Sequence, residues 1–158
     1  NFANVNESKK KTIILSGKTG VGKTYLALCV LNKAIELGFY SVYVNAFSLN
    51  NIFLKYHCAP LNEKENILYN FLNADLLVID DLGTEPILKN VTQEYLYLLL
   101  NERLNKNLNT LVTTNLTLDA IRDIYNERIY SRLTNNKSAS LEFPGSDLRN
   151  TNKIKAVK

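Results

Sequence analysis

The chain alternates short apolar runs with longer segments whose apolar residues recur at helical spacing, and turn or cap signals separate them. Residues 11–16 are β-branched and apolar, the pattern of a buried strand. Residues 25–31 continue as a helix that Gly38 closes. Residues 41–45 read as a second strand, and residues 46–58 place Phe47, Ile52, Phe53 and Tyr56 at helical intervals until Pro60 ends the segment. Asn62 can cap a helix over 63–73, with Ile67, Leu68, Phe71 and Leu72 on one face. A third strand, 75–80, has the continuous apolar interior expected when both faces of a sheet are covered. A loop with Gly83 and Pro86 leads to a long helix over 91–104 that carries Leu96, Leu99, Leu100 and Leu104. Residues 109–114 form a fourth strand. Thr117 caps a helix over 118–125, a second short helix occupies about 126–133, and a fifth strand, 138–143, stops at Pro144-Gly145. Strands alternating with helices predict a parallel, doubly covered α/β sheet with right-handed crossovers and a site beyond the C-terminal strand ends.

Composition narrows this picture. The 158 residues suit one domain, placed at 1–150 with a basic tail at 151–158, and 46% hydrophobic residues support a core. No run of about 18 apolar residues is present, so no transmembrane helix is expected, and residues 1–11 are polar without a signal-peptide core. Cys29 and Cys58 lie in apolar helical contexts and read as reduced core residues of a cytoplasmic protein. His57 is the single histidine, which argues against a His/Cys zinc site. From Arg122 to Lys158 eight basic residues face four acidic ones, which matches the entire net charge of +4. That excess suits contact with nucleic acid or with nucleotide phosphates of a neighbour; a solvated tail explains Lys153, Lys155 and Lys158 equally well. The chain does not begin with methionine, so it reads as a fragment or as lacking its start, and the lack of any methionine in 158 residues raises the possibility that internal residues are missing from it.

The chemistry concentrates first at Gly17-Lys18-Thr19-Gly20-Val21-Gly22-Lys23-Thr24, which matches the phosphate-binding P-loop pattern G-x-x-x-x-G-K-[ST] at every required position. A strand feeding a glycine-rich turn that opens a helix aims backbone N–H groups and the helix's positive end at one spot, where a triphosphate can sit. Lys18, Thr19, Gly20, Val21, Gly22, Lys23, Thr24 and Tyr25 are therefore the expected ATP-binding positions. Lys23 would reach the β/γ-phosphates, and the Thr24 hydroxyl would ligate Mg²⁺.

Leu76-Leu77-Val78-Ile79-Asp80-Asp81 has the Walker B arrangement, four apolar residues followed by two carboxylates. Asp80 would hold Mg²⁺ and Asp81 would orient or deprotonate the attacking water. Asp81 stands where many such enzymes carry Glu, and its shorter reach suits slow or partner-stimulated turnover. Asn115 ends the fourth strand: either a turn-former, or a group that hydrogen-bonds the γ-phosphate or the water if that strand neighbours the P-loop strand. Arg128 and Arg132, four apart, share one helix face. They read either as surface charges or as arginine fingers for a neighbouring subunit's ATP. Phe53, Tyr56, His57 and Lys55 could serve single-stranded DNA, but a core-facing helix stripe accounts for them better.

Taken together, the segment 17–24, Val78-Ile79-Asp80-Asp81-Leu82-Gly83-Thr84-Glu85, Thr113-Thr114-Asn115-Leu116, Glu127-Arg128-Ile129-Tyr130-Ser131-Arg132-Leu133 and Gly145-Ser146-Asp147-Leu148-Arg149 resemble the AAA+ ATPase domain of bacterial replicative helicase loaders of the DnaC/DnaI type. The likeness runs in order over nearly the whole chain. It implies a P-loop NTPase fold of AAA+ type, with a five-stranded parallel sheet, flanking helices and little or no C-terminal lid. It also implies an ATP- and Mg²⁺-dependent loader that self-assembles on single-stranded DNA and helps place a replicative hexameric helicase there. By position, Asn115 becomes the sensor 1 residue and Arg132 the trans-acting finger, with Arg128 beside it; Asp147 and Arg149 match a C-terminal motif without an assigned role. Loaders carry an N-terminal helicase-binding region, so this chain reads as the excised ATPase domain, or the helicase contact lies elsewhere. An IstB-like ATPase that assists transposition shares the same motifs, and a nucleotide-gated adaptor with little hydrolysis is a third reading.

Overall fold

The computed structural model describes residues 11–145. Five strands form one parallel sheet: β1 (Thr12–Gly17), β2 (Ser41–Asn45), β3 (Leu76–Leu82), β4 (Asn109–Thr114) and β5 (Ser138–Phe143). Their spatial order is β2-β3-β4-β1-β5, so β1 lies between β4 and β5. The connecting helices are α1 (Lys23–Glu36), α2 (Ala46–Cys58), α3 (Leu61–Asn73), α4 (Thr92–Asn105), α5 (Leu118–Tyr125) and α6 (Glu127–Leu133). Placing β4 beside β1 brings the ends of β1, β3 and β4 together on one rim, the arrangement on which the expected site depends.

Each strand sends alternate residues to opposite sides, and two cores result. Ile14, Val44, Leu77, Ile79 and Val112 pack against Phe53, Leu96, Leu99, Ile121 and Ile129 of the larger helical layer. Leu15, Leu76, Val78 and Leu111 pack against Ala27 and Leu31 of α1. Among the described residues α1 alone covers that second face, and one helix cannot span five strands. Ile13 and Leu141 consequently stay 40% and 51% exposed, so the sheet is less evenly covered than its apolar strands imply.

Local signals explain most element boundaries. Thr117 caps α5 as expected, its hydroxyl accepting from Ala120 N–H, and Asn45 caps α2 by accepting from Ser48 N–H. Asn62, in contrast, does not cap α3. That helix begins at Leu61 with Pro60 in the cap position, where the proline's fixed φ of −64° and extended ψ suit the entry and its carbonyl accepts from Glu63 N–H. The two cysteines are also exposed, not core. The buried residues of α1 are Lys23, Ala27 and Leu31, so Cys29 falls on the opposite side of the helix; Cys58 is the last residue of α2.

At the far rim of the sheet, Arg103 of α4 is fully buried. Its guanidinium donates to Thr110 Oγ1 and to the carbonyls of Phe71 and Asn109, tying α3, α4 and β4 together. Burial lowers its pKa to about 10, with Asp75 opposing the shift. The aromatic group on α2 faces the core only in part: Phe53 is buried and Tyr56 stacks edge-on with Tyr95, while His57, exposed like Lys55, has its Nδ1 2.9 Å from the Tyr95 hydroxyl. No described helix is long and apolar enough to cross a membrane.

Candidate functional site

The loop after β1 enters α1 without an intervening cap. Gly22 stands at the N-cap with φ of 97°, a conformation that a side chain would oppose, and no side chain accepts from the first-turn N–H groups. The first turn also lacks an acidic residue. An uncapped helix start with free N–H groups and positive partial charge fits an anion such as a triphosphate. Lys23 is 5% exposed, and its ammonium is held by the carbonyls of Gly17 and Lys18 at 2.8 Å each and by Asn115 Oδ1 at 2.7 Å. Burial pushes its pKa down, while Asp81 and Asp80 push it back up.

Across from this loop, β3 ends in a register irregularity between Ile79 and Leu82. Asp81 occupies the irregular stretch with φ of 55°, and its N–H donates to Thr113 Oγ1 on the neighbouring strand. A bulge at a strand end re-aims side chains, and here the two adjacent carboxylates share one rim instead of pointing to opposite faces. Asp80 accepts from Thr24 Oγ1 at 3.0 and 3.2 Å, from Thr113 Oγ1 at 2.5 Å and from the Tyr43 hydroxyl at 2.8 Å. Asp81 lines the open cleft, where burial first, then Asp80, raise its pKa above the ordinary 3.8 and Lys23 partly opposes them. Burial and Asp80 raise the Tyr43 phenol to about 12, so it stays a donor at neutral pH.

The cleft, about 260 Å³, is walled by the glycine-rich loop, the first turn of α1 with Tyr25, Asp81 and Asn115. Thr24 and Asp80 offer an oxygen-only pair at its edge, the donor type that a hard divalent cation such as Mg²⁺ takes. Arg128 and Arg132 do not enter this cleft. Both guanidiniums lie over the Tyr97 ring, at 4.0 and 5.3 Å, and Arg132 donates to Asn101 Oδ1 and the Tyr97 hydroxyl. Their shared face, expected from spacing, is thus α6 packed on α4. Asp147, Arg149 and the basic tail lie outside the described residues, as does the expected absence of a lid.

Comparison with known sequences bears on this geometry directly. The profile of the family described as IstB-like ATP binding protein matches residues 4–155. The chain belongs to that family. The IstB-like chain is also 30% identical over 120 residues to the replicative helicase loader DnaI of Bacillus subtilis (strain 168), covering 74% of this chain and 37% of DnaI. It is 28% identical over 137 residues to the replicative helicase loader DnaC of Buchnera aphidicola subsp. Baizongia pistaciae (strain Bp), covering 84% of this chain and 54% of DnaC. A crystal structure of the DnaC helicase loader superposes with TM-score 0.73 at 26% identity, covering 89% of this chain and 82% of that one. The fold is therefore the P-loop AAA+ α/β arrangement, and the chain spans about half or less of the curated relatives it matches.

Several residues that build this IstB-like site carry no signal in spacing alone. Tyr43 and Thr113 reach Asp80 from two other strands. Glu85 is buried, accepts from Gly83 N–H at 2.9 Å, and takes the Tyr125 hydroxyl on its second oxygen. It thereby pins the loop after Asp81 to the end of α5. Gly83 has φ of 104°, and a Cβ there would meet Leu116 Cδ1 at 2.4 Å, so the loop after β3 packs directly against the loop after β4. The Asp-Asp-Leu-Gly-x-Glu string contains Gly83 and Glu85, but only the fold shows what they touch.

Proposed function

We propose that this domain binds and hydrolyses ATP as the motor module of a helicase loader, assembling with its own kind on single-stranded DNA to help place a replicative hexameric helicase. One observation carries the reading: the Lys23 ammonium, the uncapped start of α1, the Thr24–Asp80 pair, Asp81 and Asn115 converge on one cleft at the ends of β1, β3 and β4. Lys23 and the loop from Lys18 to Gly22 cradle the phosphates, with Tyr25 at the cleft wall. Thr24 and Asp80 hold Mg²⁺, which when bound offsets negative charge on the phosphate oxygens. Asp81 accepts the proton of the water that adds to the γ-phosphorus as the bond to ADP breaks. Asn115 orients that water or the γ-phosphate, and Lys23 stabilises the charge.

Arg132, with Arg128 beside it, lies outside its own cleft and packs against α4, which supports a role in the site of a neighbouring copy. The likeness to the replicative helicase loaders DnaI and DnaC supports the helicase partner, and single-stranded DNA is the strand on which such a loader would act. The unit comprises residues 1–150, with 151–158 as a basic tail, and works in the cytoplasm. The family match supports a second reading, an accessory ATPase in transposition, which uses the same cleft for a different partner. A nucleotide-gated adaptor with little hydrolysis rests on the short reach of Asp81.

Equilibrium binding of a fluorescent ATP analogue tests the cleft. Lys23→Ala is expected to abolish binding, because it removes the buried ammonium held beside the uncapped start of α1; retained affinity overturns the assignment. ATPase assayed with and without single-stranded DNA and a cognate helicase then separates the readings. Stimulation by both is the loader result, and stimulation by neither favours the accessory or adaptor role.

A further inference from the structure

Asp80 receives three hydroxyl donors, and they come from three different elements: Thr24 from α1, Thr113 from β4 and Tyr43 from the edge strand β2. Thr113 is fully buried and bonds only Oδ1. Tyr43 bonds only Oδ2. Thr24 reaches both oxygens, yet its hydroxyl is the group that must turn its oxygen toward a cation. Once it does, Oδ2 keeps a single protein donor, the Tyr43 phenol.

Tyr43 is 39% exposed and, among the described residues, belongs to neither core cluster. A half-exposed phenol on an edge strand can satisfy itself with water, so a direct bond to a carboxylate that is 3% exposed needs a reason beyond packing. We infer that Tyr43 is a positioning residue for the cation-holding carboxylate, fixing the Asp80 plane through Oδ2 so that Oδ1 and the Thr24 oxygen face the same point. Partners of this kind set ligand orientation, and their loss typically weakens metal affinity by roughly tenfold or more. The inference rests on the reading of Thr24 and Asp80 as the Mg²⁺ pair.

Its test measures the metal's contribution to nucleotide affinity, with no turnover involved. A fluorescent, non-hydrolysable ATP analogue is titrated into the chain in EDTA and again in saturating Mn²⁺, for the unchanged protein, Tyr43→Phe and Asp80→Asn. The ratio of the two affinities is the readout. Tyr43→Phe is expected to keep the EDTA affinity while its Mn²⁺ enhancement falls roughly tenfold, and Asp80→Asn is expected to lose the enhancement. An unaltered enhancement in Tyr43→Phe alongside a lost one in Asp80→Asn overturns the role of Tyr43 and leaves the metal pair standing. An equal fall of both affinities in Tyr43→Phe makes the residue structural and overturns the inference as well. Full enhancement in Asp80→Asn overturns the metal pair, and the inference with it.

Discussion

Asp81 sits on a left-handed stretch of backbone, beside Asp80 and opposite Lys23, with its pKa raised above 3.8 chiefly by burial. A carboxyl that binds its proton more tightly when folded lowers stability once the pH rises through that raised value. Its ionised form is therefore a cost to the nucleotide-free protein at neutral pH. Asp81→Asn is expected to raise the melting temperature at pH 7, with the gain shrinking toward pH 3, where the aspartate is protonated folded and unfolded. Asparagine also tolerates positive φ, but that benefit does not change with pH, so the pH dependence of the difference is the readout. Scanning calorimetry at the two pH values checks it, and an equal gain at both assigns the effect to the backbone alone.

Among the elements, one link joins the loop that follows Asp81 to the α5–α6 corner, from which the helix with Arg128 and Arg132 starts. Glu85 joins Gly83 N–H to the Tyr125 hydroxyl in the interior, and the next residue, Asn126, opens α6 by accepting from Ile129 N–H at a φ of 91°. Gln93 of α4 ties down the same corner through Ile124 O and Asn126. Tyr125→Phe leaves a buried carboxylate oxygen without its donor and is expected to destabilise by about 1–3 kcal/mol in urea unfolding. Glu85→Gln keeps an acceptor and removes the charge, so its cost should be smaller. A Tyr125→Phe protein as stable as the parent contradicts the pairing. These contacts also mark where reading the sequence stops. Strand and helix periods, the Thr117 cap and the Gly17–Thr24 loop are local, and local pattern suffices to place them within a residue or two. The bulge that swings Asp81 onto the rim and the bonds of Tyr43, Thr113 and Tyr125 join residues more than 30 positions apart, and no spacing rule encodes them. Cys29 fails for a related reason: its apolar neighbours look like core until the helix phase set by Ala27 and Leu31 is known.

At the scale of the whole molecule, the cleft and the arginine pair are separate features: neither Arg128 nor Arg132 lines the cleft. The sheet order gathers Lys23, Asp80, Asp81 and Asn115 at one place, while α6 lays Arg128 and Arg132 against Tyr97 of α4 elsewhere. On the reading proposed above, in which Arg132 serves the site of a neighbouring copy, both half-sites would be completed by head-to-tail assembly, the heterologous geometry that gives rings or open helices. A triphosphate would then be a clamp between copies as well as a substrate. The most direct test is a mixing experiment on ATPase activity in the assembled state with single-stranded DNA. Arg132→Ala and Asp81→Asn proteins are each expected to be nearly inactive alone, for different reasons. Mixed together, an intact cleft from the first can meet an intact Arg132 from the second, and activity is predicted to reappear. Mixtures no more active than their components, or an Arg132→Ala protein that hydrolyses ATP at the full rate by itself, contradict the composite site.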